Sequence, residues 1–346
     1  MSTHSSLSLL LFLLSLLTPT FQSSSSSPYL SPTTVLLPDY HRMLAAFKIY
    51  VYPFNPFTFS TPSESLFHAS LLNSGFITGD PNAADLFYVA FPPDLPSGRS
   101  LSRLVDSLRT NFTFWYRSLG ADHFFLSRQG VGKVTDRNVL ELKKNAVQLS
   151  VFPTSSGDFF PHKDIILPPV PPKTSPLVKE TSPLETATFL GFMKREEGLK
   201  SQVSLIGEVE GDPEFLVESE PLDLTRSKFC LFVYGGDGSW LGEALRVGCV
   251  PVVITDRPVQ DMPLIDVVRW SEVAVFVGSG GRVAELKRVL GGIDRERYDR
   301  MRESGVTVAK HFVWNEVPQP FDAFHMVMYQ LWLRRHTIRY ARREWL

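Results

Sequence analysis

Residues 227–256 read SKFCLFVYGGDGSWLGEALRVGCVPVVITD. An apolar run at 229–234 enters a turn carrying Gly235, Gly236 and Gly238, a helical stretch follows at 239–247, and a second apolar run at 249–255 ends at Asp256. Two buried strands joined through one helix form a βαβ unit, and strands apolar on both faces belong to parallel sheets covered by helices. This unit commits the surrounding chain to an α/β fold.

The same alternation runs through the rest of the chain. Short apolar runs at 47–53, 84–91 and 123–127 alternate with helical stretches at 65–73 and 101–118, which predicts a first parallel sheet. A Pro-rich stretch at 153–183 encloses one strand at 164–167, and the inter-domain linker is expected at 171–187. A strand at 188–192 opens the second domain, and a strand at 273–277, a GSGG turn and a helix at 282–290 close it. The expected organisation is a first domain at 46–170, a second at 188–310 and C-terminal helices at 311–346. Residues 180–223 carry 11 acidic side chains against Lys194, Arg195 and Lys200 and read as a solvated face. The arginines of the last helix, Arg334, Arg335, Arg339, Arg342 and Arg343, complement a helix dipole.

Composition narrows the function classes. With 346 residues and 43% hydrophobic content the chain has core enough for about two domains. Thirty-five basic against 36 acidic residues give no global field for nucleic acid, and two cysteines cannot build a disulfide scaffold or a four-Cys zinc site. Residues 7–17 form an eleven-residue Leu-rich run, the length of a signal-peptide core and shorter than the roughly 20 residues that cross a bilayer. Entry into the secretory pathway is expected, with residues 1–22 as cleaved signal or short anchor and 23–45 as a Ser/Pro-rich stem. Asn111-Phe112-Thr113 is an N-glycosylation sequon, meaningful in that compartment.

The chemistry sits in the glycine turn. Glycines between a buried strand and a helix let the backbone approach a phosphate, and Glu243 is placed one turn on, where a carboxylate can accept hydrogen bonds from ribose hydroxyls. A nucleophile elbow centred on Ser239 is excluded, because positions 237 and 241 are Asp and Leu rather than Gly. A loose dinucleotide fingerprint remains open: Gly236, Gly238 and Gly242 are followed by Asp256, twenty residues after the first, where a ribose-binding acid belongs. That alternative is an NADP-dependent oxidoreductase. No D-x-D triplet occurs and the His/Cys spacings fit no zinc pattern, so no metal is expected, and apart from that NADP alternative no cofactor is expected either. Cys230 and Cys249 begin neighbouring strands and are either a lumenal disulfide or two buried thiols.

Taken in order, KIYVYP at 48–53, NAADLFYVAF at 82–91, GADHFF at 120–125, KDIILPP at 163–169 and the glycine-turn unit at 227–256 resemble the exostosin-type glycosyltransferases, especially their plant cell-wall branch. The resemblance covers most of 47–320. It implies a GT-B architecture, two facing Rossmann-like domains with a C-terminal helical extension. It also implies inverting transfer from a UDP-sugar donor to a glycan acceptor, and residence in the Golgi membrane as a type II protein among other Golgi glycosyltransferases. The donor site implied comprises Gly235, Gly236, Gly238, Ser239, Glu243 and Asp256, with Lys194 and Arg195 matching a basic position of the family. Where the family carries an Arg three residues before the helix carboxylate, this chain has Trp240, which opens a third alternative, an inactive glycan- or nucleotide-binding member. Asp122 and His123, at the mouth of a predicted strand, are the expected acceptor-side catalytic pair.

Overall fold

A computed structural model describes residues 27–343 apart from 55–56, 60, 91–97, 128–135, 155–158, 172–186, 197–203 and 220–222. The leading segment at 1–22 and nearly all of the expected linker at 171–187 lie outside the described residues. Among the described residues no helix is long and apolar enough to cross a membrane.

Two parallel five-stranded sheets carry the fold. The first contains β1 (Ile49–Val51), β2 (Leu86–Tyr88), β3 (His123–Leu126), β4 (Val147–Val151) and β5 (Ile165–Leu167), paired in that order. The second contains β6 (Phe189–Lys194), β7 (Phe215–Glu218), β8 (Ser227–Val233), β9 (Val250–Ile254) and β10 (Val275–Val277), in the order β10-β9-β8-β6-β7. The helices are α1 (Thr33–Ala46), α2 (Pro62–Leu72), α3 (Gly98–Asn111), α4 (Phe114–Ser118), α5 (Arg137–Asn145), α6 (Ser204–Glu210), α7 (Leu241–Val247), α8 (Val283–Gly291), α9 (Arg295–Ala309) and α10 (Ala323–Arg343). Two Rossmann-like halves of GT-B type are therefore present, as expected.

Strand order fixes where a site can lie. In the second sheet β6 comes first in the chain, β7 pairs on one side of it and β8 on the other. Open α/β sheets bind ligands at such a reversal, outside the carboxyl ends of the strands. The first sheet has its own reversal: beyond β1, on the side away from β2, Ile77 forms a parallel bridge to Ile49, with Thr78 N–H donating to the Ile49 carbonyl at 2.9 Å. Both crevices open at C-terminal strand ends.

Three sequence expectations need correction. Residues 29–46 are part of the fold rather than stem: Leu36, Tyr40 and Met43 bury one side of α1, and Tyr29 bridges Val268 of the second half. The acidic stretch at 180–223 supplies β7 and α6, whose Leu205, Ile206 and Val209 are buried in the second core. The arginines near the end of the chain are not one dipole-capping set, because Arg334 donates to the carbonyls of Lys163 and Asp164 at 2.7 and 2.9 Å and to Asp266 at 2.7 Å. In this way α10 returns from the second half to the first, packing Phe324 against Phe67 and Trp332 against Phe47.

The two cysteines are paired, Cys230 to Cys249, with Cα atoms 5.7 Å apart. The bond ties the start of β9 to β8, at the end of the sheet away from the glycine turn.

Candidate active site

The glycine turn leaves β8 at the reversal of the second sheet. Gly236 N–H returns to the Val233 carbonyl at 3.0 Å, and Gly235 takes φ +100°, a backbone conformation that strains any residue with a Cβ. The helix after it is shorter than its sequence promised: α7 starts at Leu241, spans 7 residues, and has Trp240 as N-cap with no side-chain cap. An anion at the turn would therefore meet the turn's own N–H groups and side chains rather than a long helix dipole. Trp240 is 3% exposed, stacked on Phe232 at 3.8 Å between centroids and edge-on to Phe192. It belongs to the core and adds no charge to the turn.

Facing the turn is the first half. A cleft of about 410 Å³ is lined on one side by Gly235, Gly236, Asp237, Gly238 and Ser239 and on the other by Thr61, Pro62 and Ser63 at the start of α2, Val151 to Pro153 after β4, and Pro169 with Val170 after β5. Every wall is a C-terminal strand end or the loop or helix start that follows one. The two halves touch at its floor. A Cβ on Gly238 would stand 2.5 Å from the Phe152 ring, so only glycine admits this approach. Beside it the Thr154 N–H donates to the Tyr234 hydroxyl at 3.2 Å, and Arg257 donates to the Thr154 carbonyl at 2.8 Å while pairing with Asp261 at 3.2 Å.

Charges at the turn are tightly organised. Lys194 Nζ donates to Asp237 at 2.7 Å, and the Asp237 N–H donates to both Glu196 oxygens at 3.0 Å. Burial pushes the Asp237 carboxyl up, but its bonds to Lys194 and Ser239 outweigh burial and hold it below the usual range. Glu196 is raised, chiefly by burial and further by the Asp237 charge. The Ser239 hydroxyl is buried with no hydrogen-bond partner among the described residues.

The structure brings together only part of the predicted site. Gly235, Gly236, Gly238 and Ser239 line the cleft and Lys194 braces the turn. Arg195 is exposed, with its N–H spent on the Glu218 carbonyl at 2.8 Å. Glu243 pairs with Arg246 at 2.9 and 2.5 Å. Asp256 is exposed and accepts from the Ser279 N–H at 2.9 Å and from its hydroxyl, closing the loop after β10; those hydrogen bonds hold its carboxyl below the usual range. Asn111 is exposed at the end of α3.

Asp122 and His123 do not reach the cleft. They stand at the N-terminal end of β3, the far end of the sheet, and both are 0% exposed. His123 is stacked on Tyr52 and Phe87, bonded to the Tyr52 hydroxyl at 2.8 Å and to Asp122 at 2.8 Å, and burial with the Arg117 charge lowers its pKa to about 3. The pair fills an aromatic core in place of the acceptor-side role expected of it.

On the cleft side of the same half, sequence reasoning missed Thr61 and Glu64. Thr61 Oγ1 accepts from the Glu64 N–H at 3.3 Å and donates to Glu64 Oε2 at 2.7 Å, and Glu64 is 0% exposed. The pattern T-P-S-E after a strand is a capping box with proline at N1, legible in the sequence. Glu196 was hidden by reading its surroundings as a solvated acidic face.

Residues 43–293 match the Exostosin GT47 domain. The chain is 31% identical over 253 residues to a probable glycosyltransferase of Arabidopsis thaliana, covering 70% of this chain and 53% of that protein. It is 26% identical over 307 residues to the probable beta-1,4-xylosyltransferase IRX10 of Arabidopsis thaliana, covering 77% of this chain and 74% of the relative. Identity is again 26% over 307 residues to a probable glucuronosyltransferase of Oryza sativa subsp. japonica, at 77% and 70% coverage. This chain thus spans about half the length of the first of these proteins and about seven-tenths of the other two. With the matched region running from α1 through both sheets, the chain belongs to the exostosin GT47 family of glycosyltransferases.

Proposed function

We propose that this protein transfers a sugar from a UDP-sugar to a hydroxyl of a polysaccharide or glycoprotein, with inversion, in plant cell-wall glycan synthesis. The observation that carries this reading is the cleft itself: in a chain of this family, a glycine turn at the reversal of one sheet faces the C-terminal ends of β4 and β5 and the start of α2 in the other half, so donor and acceptor can occupy opposite walls. Xylosyl and glucuronosyl transfer appear in the descriptions of two relatives, which makes UDP-xylose and UDP-glucuronic acid the first donors to test.

In this reading the acceptor oxygen attacks the anomeric carbon as the bond to the diphosphate breaks. The chain has no D-x-D triplet, and the developing charge on the leaving diphosphate is met by the turn N–H groups, the Ser239 hydroxyl and Lys194, without a metal. Glu243 and Asp256 remain proposed partners of the nucleotide, one reached by releasing Arg246 and the other by releasing Ser279. The acceptor proton goes to the first half, where Thr61 lines the cleft and Glu64 stands behind it. Golgi residence, with the apolar run at 7–17 as signal or anchor and other Golgi glycosyltransferases as partners, belongs to the same proposal.

The test is thermal stabilisation by UDP, GDP, UDP-sugars, NAD and NADP. At one hundred times its dissociation constant a ligand adds about 2.7 kcal/mol. Selective stabilisation by UDP or one UDP-sugar is expected. A response to NADP alone would overturn the donor assignment, and UDP binding without transfer to any acceptor or to water would favour an inactive family member.

A further inference from the structure

The loop leaving β6 lays a carboxylate across the glycine turn. Both Glu196 oxygens receive the Asp237 N–H at 3.0 Å, and a Cβ built on Gly236 would stand 2.9 and 3.0 Å from the same two oxygens. The carboxylate therefore lies directly on the backbone that Gly236 leaves bare. A phosphate group offers the same chemistry as a carboxylate, an anion with oxygens arrayed to accept N–H donors, and one N–H cannot serve both at full strength. The described charges bonded to the turn itself are one cation, Lys194, and two carboxylates, Asp237 and Glu196, with Lys194 committed to Asp237 at 2.7 Å and the nearby Arg257 paired with Asp261 at 3.2 Å. An incoming diphosphate meets a negative surplus as long as Glu196 stays in place.

We infer that Glu196 is a resident anion in the donor's phosphate position, displaced from the Asp237 N–H when the diphosphate binds, and so sets the affinity of the site for its donor. The inference rests on the donor reading of the turn given above and adds to it a determinant of affinity. Displacement exchanges one anion for another on a preformed donor, so the turn stays satisfied in the empty enzyme. The cost of moving Glu196 is subtracted from every donor's binding, whatever its sugar. Removing its charge removes that subtraction.

Calorimetric titration of the full chain with inorganic pyrophosphate and with UDP tests this, in the wild type, Glu196→Gln and Glu196→Ala. Glutamine keeps the shape and loses the charge, whereas alanine clears the turn, so each guards against a packing fault in the other. Both variants are expected to bind both ligands about tenfold more tightly at pH 7, a change of about 1.4 kcal/mol. Unchanged or weaker binding of both ligands overturns the inference and leaves the donor reading standing. Weaker UDP binding with unaltered pyrophosphate binding also overturns it, because Glu196 would then hold a nucleoside hydroxyl. If neither ligand binds any of the three proteins, the turn is no anion site and both readings fall.

Discussion

Thr61 and Glu64 allow helix capping to be separated from chemistry by single atoms. Asparagine caps a helix at least as well as threonine but has no hydroxyl proton to pass on, whereas serine has both properties. Thr61→Asn is therefore expected to unfold within about 0.5 kcal/mol of the wild type while losing about 100-fold in turnover. Thr61→Ser should retain its rate and Glu64→Gln should lose it, with UDP affinity unaltered in all three. Initial rates of UDP release from the preferred UDP-sugar check this, and full activity in Thr61→Asn would leave the pair as a helix cap alone. The contrast with Asp122 and His123 is instructive. Their chemistry is as apt as any in the chain, but they precede a parallel strand and the cleft follows one. That direction was readable, since His123 opens its apolar run and the ligands of open α/β sheets gather at carboxyl ends.

Among elements, the β8–α7–β9 unit was the most legible because each part carries its own cue: an unbroken apolar run, glycines, and a second run. Its cysteines gave an even choice that only the fold could decide, since pairing depends on Cα separation. Closing a loop between residues 19 apart should contribute about 3 kcal/mol by restricting the unfolded chain. Urea unfolding with and without reductant, and of Cys230→Ala/Cys249→Ala, measures it; coincident curves would show that reduction leaves stability untouched. Other elements were illegible for physical reasons. Strand β4 (VQLSV) places Gln148 and Ser150 in the core, where the Gln148 amide donates to the Ser150 hydroxyl at 2.6 Å, so its polar letters hide its burial. Helix α1 contains Pro38 and follows a serine tract, both of which read as stem, yet its stability comes from Tyr40 stacked on Phe321 and from Asp39 receiving the Tyr329 hydroxyl and Trp332 indole N–H at 3.2 and 3.1 Å. These contacts span nearly the whole chain, and no local window contains them.

At the scale of the molecule, stability should depend on two histidines that the fold keeps neutral. Burial lowers His123 to about 3 and His311 to about 4, against an ordinary value of 6.5. Above pH 6.5 neither state binds these protons and their contribution is complete. As pH falls below 6.5 the unfolded chain takes them up and the folded chain does not, so stability is lost towards pH 4 at about 1.4 kcal/mol per pH unit for each histidine. Urea midpoints should fall from pH 7 to pH 5, and the proton uptake on unfolding at pH 5 should drop by nearly one proton in His311→Gln; an unchanged uptake would mean that the folded protein already carries that proton. His311 also belongs to a wider arrangement. Its ring meets the Tyr29 hydroxyl at 2.9 Å, Tyr29 bridges Val268, and α1 continues from there to α10 on the first half. A pull on the leading segment would thus enter the molecule through a clasp that grips both halves at once. Tension along that path would be divided between the two halves at their shared clasp rather than carried by one of them.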